Sequence, residues 1–352
     1  MIDSNANILL IYTGGTIGMI ENNVTGALEA FNFSQITDHL PELRRFKFQV
    51  EPIVFDPPID SSDLTPIHWQ KLVNIIETNY EQYDGFVILH GTDTMSYTAS
   101  ALSFMIENLD KPVVLTGAQL PIGKLRTDAK ENLITALEIA ADKDNLGYSI
   151  VSEVCIFFQN DLIRGNRSTK VNADNFNAFR SFNYPNLAKS GIKIRYDRSK
   201  LLTPNHEKKV RFHYKMDEHI VVLKLFPGIP QNIVETILDI ESLKAVVLET
   251  FGSGNAMRSD WFLEALAKAV KRGVIIVNVT QCAMGSVEMQ RYETGQQLLK
   301  AGIISGFDMT TEAAVTKLMH LIGFGYSREE IIVRMRVPLV GEMTRYDERE
   351  EG

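Results

Sequence analysis

The sequence predicts an α/β fold of two doubly wound domains, a larger N-terminal one followed by a smaller C-terminal one. Three observations carry this prediction. The chain's 352 residues exceed the usual size of one domain, short apolar β-branched runs alternate with longer stretches of helical periodicity, and that alternation lapses once past the middle. With 45% hydrophobic and 23% charged residues the composition is that of a globular chain able to bury a core, which sets aside disordered and fibrous classes.

Taken in order, residues 8–12, 85–90, 112–117 and 154–159 are nearly continuous apolar runs, as expected of parallel strands covered by helices on both faces. Residues 69–80, 96–108 and 129–141 carry apolar side chains at three- and four-residue spacing, which predicts helices between and after these strands. From about Tyr196 the chain turns polar and loses its period, so a linker is expected at 197–218 between domains at 1–196 and 219–352. The alternation resumes with strands expected at 220–226, 245–251 and 274–280, and helices near 231–240, 260–271, 312–322 and 327–335. The acidic end, 347–351, reads as a solvated tail.

The charge balance of 36 Lys plus Arg against 44 Asp plus Glu is −8, with no long basic cluster, so nucleic acid is not expected as a partner and a small molecule is. The first residues lack the basic start and apolar length of a signal peptide, and no run approaches the roughly 20 residues of a membrane span, so a cytoplasmic protein is expected. The two cysteines, Cys155 and Cys282, sit among apolar neighbours without metal-ligand spacing and read as buried thiols.

In open α/β sheets ligands bind outside the carboxyl ends of the strands, so the polar residues that follow each apolar run are the first candidates for chemistry. After the first run comes Thr13-Gly14-Gly15-Thr16-Ile17-Gly18, which reads either as a plain turn or phosphate loop, or as a device that brings the Thr16 hydroxyl close to the backbone. After the second comes His90-Gly91-Thr92-Asp93-Thr94-Met95, where Asp93 is either a helix cap or a working carboxylate. Upstream, Pro57 to Asp63 forms a stiff acidic loop in which Asp63 is expected to cap the next helix, leaving Asp60 for a ligand. Arg164, Arg167 and Lys170 follow the fourth run, and at least two of these three read as surface charges. Of the seven histidines only His90 stands at a strand exit, and no G-x-S-x-G elbow occurs, so a Ser-His-Asp hydrolase is poorly supported. His90 itself reads as a packed hydrogen-bonding residue.

The segments Tyr12 to Gly18 and Leu89 to Met95 resemble the two signatures of bacterial-type L-asparaginases. The likeness extends through Asp60 to Asp63, Val114 to Gln119, Arg164 to Arg167, Gly252 to Ala256 and Thr280 to Cys282, and is greatest to the cytoplasmic, type I branch. It implies a flavodoxin-like N-terminal sheet, a Rossmann-like C-terminal sheet, and hydrolysis of asparagine to aspartate and ammonia through an acyl-enzyme, without cofactor or metal. Carried onto this sequence, the resemblance makes Thr16 the nucleophile and Thr92, Asp93 and Lys170 the second catalytic group. It also places Asp60 and Asp93 on the substrate ammonium, Ser61 on its carboxylate, and the Thr92 N–H on the developing oxyanion. Asn255 would complete the site across a homodimer or homotetramer, and a weaker glutaminase activity is expected.

Two departures stand out. The stretch Asn23 to Leu28 lacks the tyrosine that family members often carry there, leaving Thr25 as a weak substitute for activating Thr16. Glu249 stands where some type I enzymes use an arginine for allosteric asparagine, so that site is expected to be lost or changed, although Thr169 and Cys282 remain. Two rival readings, a subunit of a tRNA-dependent amidotransferase and a non-enzymatic sensor, are disfavoured. No basic tRNA-binding surface is evident, and both hydroxyls are retained together with Lys170.

Overall fold

The computed structural model describes residues 5–21, 28–30 and 40–344; Thr25, with the stretch around it at 23–27, and the acidic end lie outside these residues. The chain divides into two compact units, Met1–Ser181 with Pro185–Tyr214, and Phe182–Tyr184 with Lys215–Gly352.

The first unit is built on strands β1 (Asn7–Tyr12), β2 (Gln49–Val54), β3 (Gly85–Leu89), β4 (Val113–Thr116), β5 (Val154–Phe158), β6 (Asp161–Arg164), β7 (Ala188–Lys189) and β8 (Arg195–Tyr196). Their order across the sheet is β8-β7-β6-β5-β4-β3-β1-β2. The pairs among β1 to β5 are parallel, with Leu9 level with Phe86 on one side and Glu51 on the other, while β6, β7 and β8 continue the sheet antiparallel. The sheet is therefore mixed. Its parallel part has the flavodoxin-like order 2-1-3-4-5, in which the chain reverses direction of travel across the sheet between β1 and β3. Every residue of β3, β4 and β5 is buried, which explains their unbroken apolar sequences. Strand β2 reads QVEPIV, with no residue fully buried, and it escapes an apolar-run search because it is an edge strand that tolerates Glu51 and Pro52.

Helix α1 (Pro66–Asn79) begins with proline in its first turn and a reciprocal cap in which Thr65 and His68 satisfy each other's backbone N–H. Asp63 is thus not its cap, contrary to the sequence expectation; it lies in a one-turn helix, Ser61–Asp63, whose N-cap is Asp60. Helices α2 (Met95–Met105) and α3 (Ala129–Ala141) complete the unit's main framework, and α2 is buried on nearly all sides. Residues 197–214, read from sequence as the start of the linker, cluster with this unit: Leu202 N donates to Glu153, and Arg211–Phe212 pair with Ile106–Glu107.

The second unit has four parallel strands in chain order, β9 (Ile220–Lys224), β10 (Ala245–Thr250), β11 (Ile275–Thr280) and β12 (Ile304–Ser305). Alternate side chains of β10 face opposite cores. Val246 and Leu248 pack with α4 (Gln231–Leu238), α5 (Asp260–Lys271) and α6 (Glu293–Lys300), whereas Ala245 and Val247 pack with α7 (Thr311–Phe324) and α8 (Arg328–Met335). The segment after α8 is held by a fully buried pair, Lys317 Nζ to Glu342 Oε1 at 2.6 Å. Lys317 also donates to Val337 O, and Glu342 accepts from Leu339 N and Val340 N, so both charges have hydrogen-bonding partners in the core. Among the described residues no helix is long and apolar enough to cross a membrane.

Candidate active site

The chain reverses its direction of travel between β1 and β3, and the two hydroxyl-rich loops lie at the carboxyl ends of these strands, where open α/β sheets bind ligands. Backbone bonds set the first loop: Thr13 N and its hydroxyl both donate to Leu89 O at 3.0 Å, and Ile59 N donates to Thr13 O at 2.7 Å. The glycines then permit contacts no other residue allows. A Cβ on Gly14, at φ +140°, would lie 2.0 Å from Ile59 O, and one on Gly15, at φ +86°, would lie 2.5 Å from the Gly91 backbone. Gly91 in turn leaves room for Ser61, whose Oγ would be 2.5 Å from an added Cβ. The loops bearing Thr16, Thr92 and Ser61 therefore pack closely together. Tyr12 supports the first loop by donating to Gly18 O at 3.2 Å; burial pushes its phenol up to about 12, so it remains a donor.

In the second loop Lys170 supplies the organising charge. Its Nζ donates to Thr92 Oγ1 at 2.8 Å and to Asp93 Oδ1 at 2.6 Å. Lys170 reaches them from a short strand, Thr169–Lys170, paired with Phe179–Arg180. Asp93 is thus an ion-pair partner, and α2 starts after Thr94 without a side-chain cap. Asp60 is exposed and accepts from Ser62 N at 2.9 Å, while Ser61 is buried and its carbonyl accepts from Thr94 Oγ1 at 2.8 Å. The structure brings Thr16, Asp60, Ser61, Thr92, Asp93 and Lys170 to one edge of the first unit's sheet. Asn255 belongs to the second unit, just beyond β10, where its backbone closes a turn with Phe251 and its Oδ1 accepts from Thr294 Oγ1 at 2.7 Å.

His90 is a structural hydrogen-bonding residue. Trp69 Nε1 donates to Thr98 Oγ1 at 3.0 Å, Thr98 Oγ1 is 2.9 Å from His90 Nε2, and His90 Nδ1 is 2.7 Å from Gly91 O. A carbonyl only accepts, so the neutral ring carries its proton on Nδ1 and Thr98 donates to Nε2. Because the peptide is planar and trans, pinning Gly91 O also turns the Thr92 N–H the opposite way. Burial lowers the His90 pKa from 6.5 to about 4. Between those values the unfolded chain binds more protons than the native one, so His90's contribution to stability is full above pH 6.5 and is lost as pH falls toward 4. Unfolding free energy from urea titrations is expected to drop by about 1 kcal/mol per pH unit through that window from this group, and the His90→Gln variant lacks that component.

Two sequence readings are corrected. Arg164 and Arg167 are not surface charges: both are buried, and Arg164 Nε meets Glu153 Oε2 at 2.6 Å across the β5–β6 hairpin. Cys282 is exposed, unlike the buried Cys155; its chain follows β11 into an open turn. Glu249 is engaged within its own unit by Thr311 Oγ1 at 2.6 Å and Lys224 Nζ at 3.5 Å. Sequence reasoning assigned no role to Gln119, although it ends a quoted motif; its Nε2 donates to Ala173 O and Asn175 O, and its Oε1 accepts from Thr92 Oγ1 at 3.4 Å.

Fold and site together define a two-unit α/β protein with hydroxyl-rich loops packed together at a flavodoxin-like switch point. The chain belongs to the asparaginase family: residues 7–202 match Asparaginase, N-terminal, and residues 219–335 match Glutaminase/Asparaginase C-terminal domain. It is 43% identical to L-asparaginase 1 of Escherichia coli strain K12 over 96% of this chain and 98% of that protein. It is 42% identical to the 60 kDa lysophospholipase of Mus musculus over 96% of this chain and 62% of that longer protein. The crystal structure of L-asparaginase I from Vibrio cholerae O1 biovar eltor str. N16961 matches with a TM-score of 0.88 at 42% identity, covering 97% of this chain and 100% of that one.

Proposed function

We propose that this chain hydrolyses the side-chain amide of L-asparagine to L-aspartate and ammonia through an ester on Thr16. The observation that carries this reading is the Lys170 ammonium bonded to both Thr92 and Asp93, on a loop packed against the Thr16 loop. Thr16 Oγ1 attacks the amide carbon, and the Thr92 N–H receives the developing oxyanion, a contact worth about 3 kcal/mol in comparable sites. The C–N bond breaks as the amide nitrogen takes up the Thr16 hydroxyl proton and leaves as ammonia, and water directed by Thr92 then hydrolyses the ester.

Asp60 and Asp93 hold the α-ammonium and Ser61 the α-carboxylate. The exposed carboxylates suit an amino acid better than the acyl chain of a phospholipid, so the name of the mouse relative is not carried over. Asn255 acts on the site of a neighbouring subunit in a homodimer or homotetramer, and no cofactor or metal takes part. The same reading places the enzyme in the cytoplasm, in keeping with two unpaired cysteines.

Ammonia release by the purified chain tests the proposal. Asparagine is expected to be turned over with a kcat/KM about tenfold or more above that for glutamine, the discrimination one methylene supports. No ammonia from asparagine across a broad range would exclude the reading and favour a ligand sensor.

A further inference from the structure

We propose that Gln119 is a positioning residue that sets the hydrogen-bond polarity of Thr92, and with it the water-dependent half of the reaction. The inference rests on the asparaginase reading and deepens it. Gln119 lies at the exit of β4, where its backbone N–H and that of Leu120 donate to the Asp128 carboxylate at 3.0–3.1 Å. Asp128 in turn accepts from Asn132 Nδ2 at 3.3 Å, and the same Nδ2 donates to Gly117 O at 2.9 Å. The backbone of Gln119 is therefore held from the start of α3.

The side-chain amide has one consistent orientation. Its Nε2 lies 3.2 Å from Ala173 O and 3.0 Å from Asn175 O, and carbonyls accept only, so the nitrogen must face them and Oε1 must face Thr92. Thr92 Oγ1 is then placed between two fixed partners. Lys170 Nζ donates to it at 2.8 Å, and its own proton goes to Gln119 Oε1 at 3.4 Å. A hydroxyl has one proton and two lone pairs. The proton and one lone pair are used, so Thr92 presents the remaining lone pair to the site and acts there as an acceptor.

An acceptor is what the second half of the reaction needs. A water that donates one O–H to Thr92 turns its own lone pair toward the ester carbon. The water oxygen bonds to that carbon and the ester C–O bond to Thr16 breaks. One water proton goes to Thr16 Oγ1, and the other leaves to solvent as the new carboxyl group ionises. Without Gln119 the Thr92 proton is free to swing into the site and present a donor to the water. Formation of the ester uses the Thr92 N–H and is spared.

The test is partition of the acyl-enzyme between water and added hydroxylamine, a stronger nucleophile with less need of orientation. Wild type, Gln119→Met, Gln119→Ala and Gln119→Glu are compared by ammonia, aspartate and aspartyl hydroxamate formed from asparagine. In Gln119→Met and Gln119→Ala the ratio of hydroxamate to aspartate is expected to rise about tenfold, the effect of losing one neutral hydrogen bond, with kcat/KM for ammonia release within about twofold of wild type. Gln119→Glu leaves an oxygen instead of a donor against Ala173 O and Asn175 O, so the side chain loses the orientation that holds Oε1 on Thr92 and the ratio is expected to rise as well. Should the two shorter or apolar variants fail to fold by circular dichroism, a wild-type ratio in folded Gln119→Glu overturns the proposal. It is also overturned if Gln119→Met or Gln119→Ala folds and keeps the wild-type ratio, whatever happens to its kcat. Absence of ammonia from wild type is a different outcome and overturns the asparaginase reading itself.

Discussion

Replacing Thr16 by alanine is expected to abolish asparagine turnover, with kcat lowered by about 10⁴-fold or more, because the proposed mechanism forms its ester on the atom removed. Thr16 opens a one-turn helix, Thr16–Gly18, on a loop fixed by bonds the substitution leaves alone: Thr13 to Leu89, Ile59 to Thr13, and Tyr12 to Gly18. Its side chain is only half-buried, so folding stability should change by about 1 kcal/mol or less. Asp60, Ser61 and Asp93 also remain, so asparagine should still bind. Ammonia release and calorimetric binding on the same preparation check both halves, and an inactive variant that also fails to bind would point to a disordered loop.

Removal of the Lys170 charge by Lys170→Met should cost about 10²- to 10³-fold in kcat with little loss of stability. The Lys170–Asp93 contact contributes little to folding, since the Asp93 side chain is 65% exposed and water screens the pair. Its effect is geometric. One ammonium at 2.8 and 2.6 Å from two oxygens fixes the Thr92 hydroxyl and the Asp93 carboxylate relative to each other. Lys170→Arg should recover only a small part of the activity, because a planar guanidinium keeps the charge but does not place one compact donor between those atoms. Steady-state kinetics with thermal unfolding on the three proteins separates the terms, and full activity of Lys170→Met would remove Lys170 from the site.

Much of this arrangement is legible in the sequence because the chemistry follows strands that announce themselves. The runs that became β1, β3, β4 and β5 are apolar throughout since both faces are covered, and the polar residues after them mark the candidate site. Helices α3 and α5 occupy 129–141 and 260–271 as their periodicity predicts. Strand β2 was not legible because an edge strand needs no apolar run, and α6 was not because its polar face dominates a short sequence, ETGQQLLK.

The misread residues have two causes. Arg164 looks like a surface cation until the β5–β6 hairpin sets it against Glu153, eleven positions earlier in the chain. Asp63 has a capper's identity, but Thr65 stands nearer the helix and takes the position. Gln119 is an unremarked amide in sequence, and only the fold brings Thr92 and the 173–175 backbone to its two ends. For Arg164 and Gln119 a contact made by the fold decides the role, and residue type at a local spacing carries no record of it, whereas Asp63 loses a local competition.

The central claim is that Thr16, with its hydroxyl on the first loop, forms the covalent bond, while Thr92, already held by Lys170 and Gln119, does not. The most direct measurement is acid quench of wild-type enzyme during turnover of asparagine, followed by proteolysis and mass spectrometry of the acylated peptide. The account predicts an aspartyl ester on the peptide carrying Thr16. An ester on the peptide carrying Thr92, or asparagine consumed with no ester on either, would contradict it.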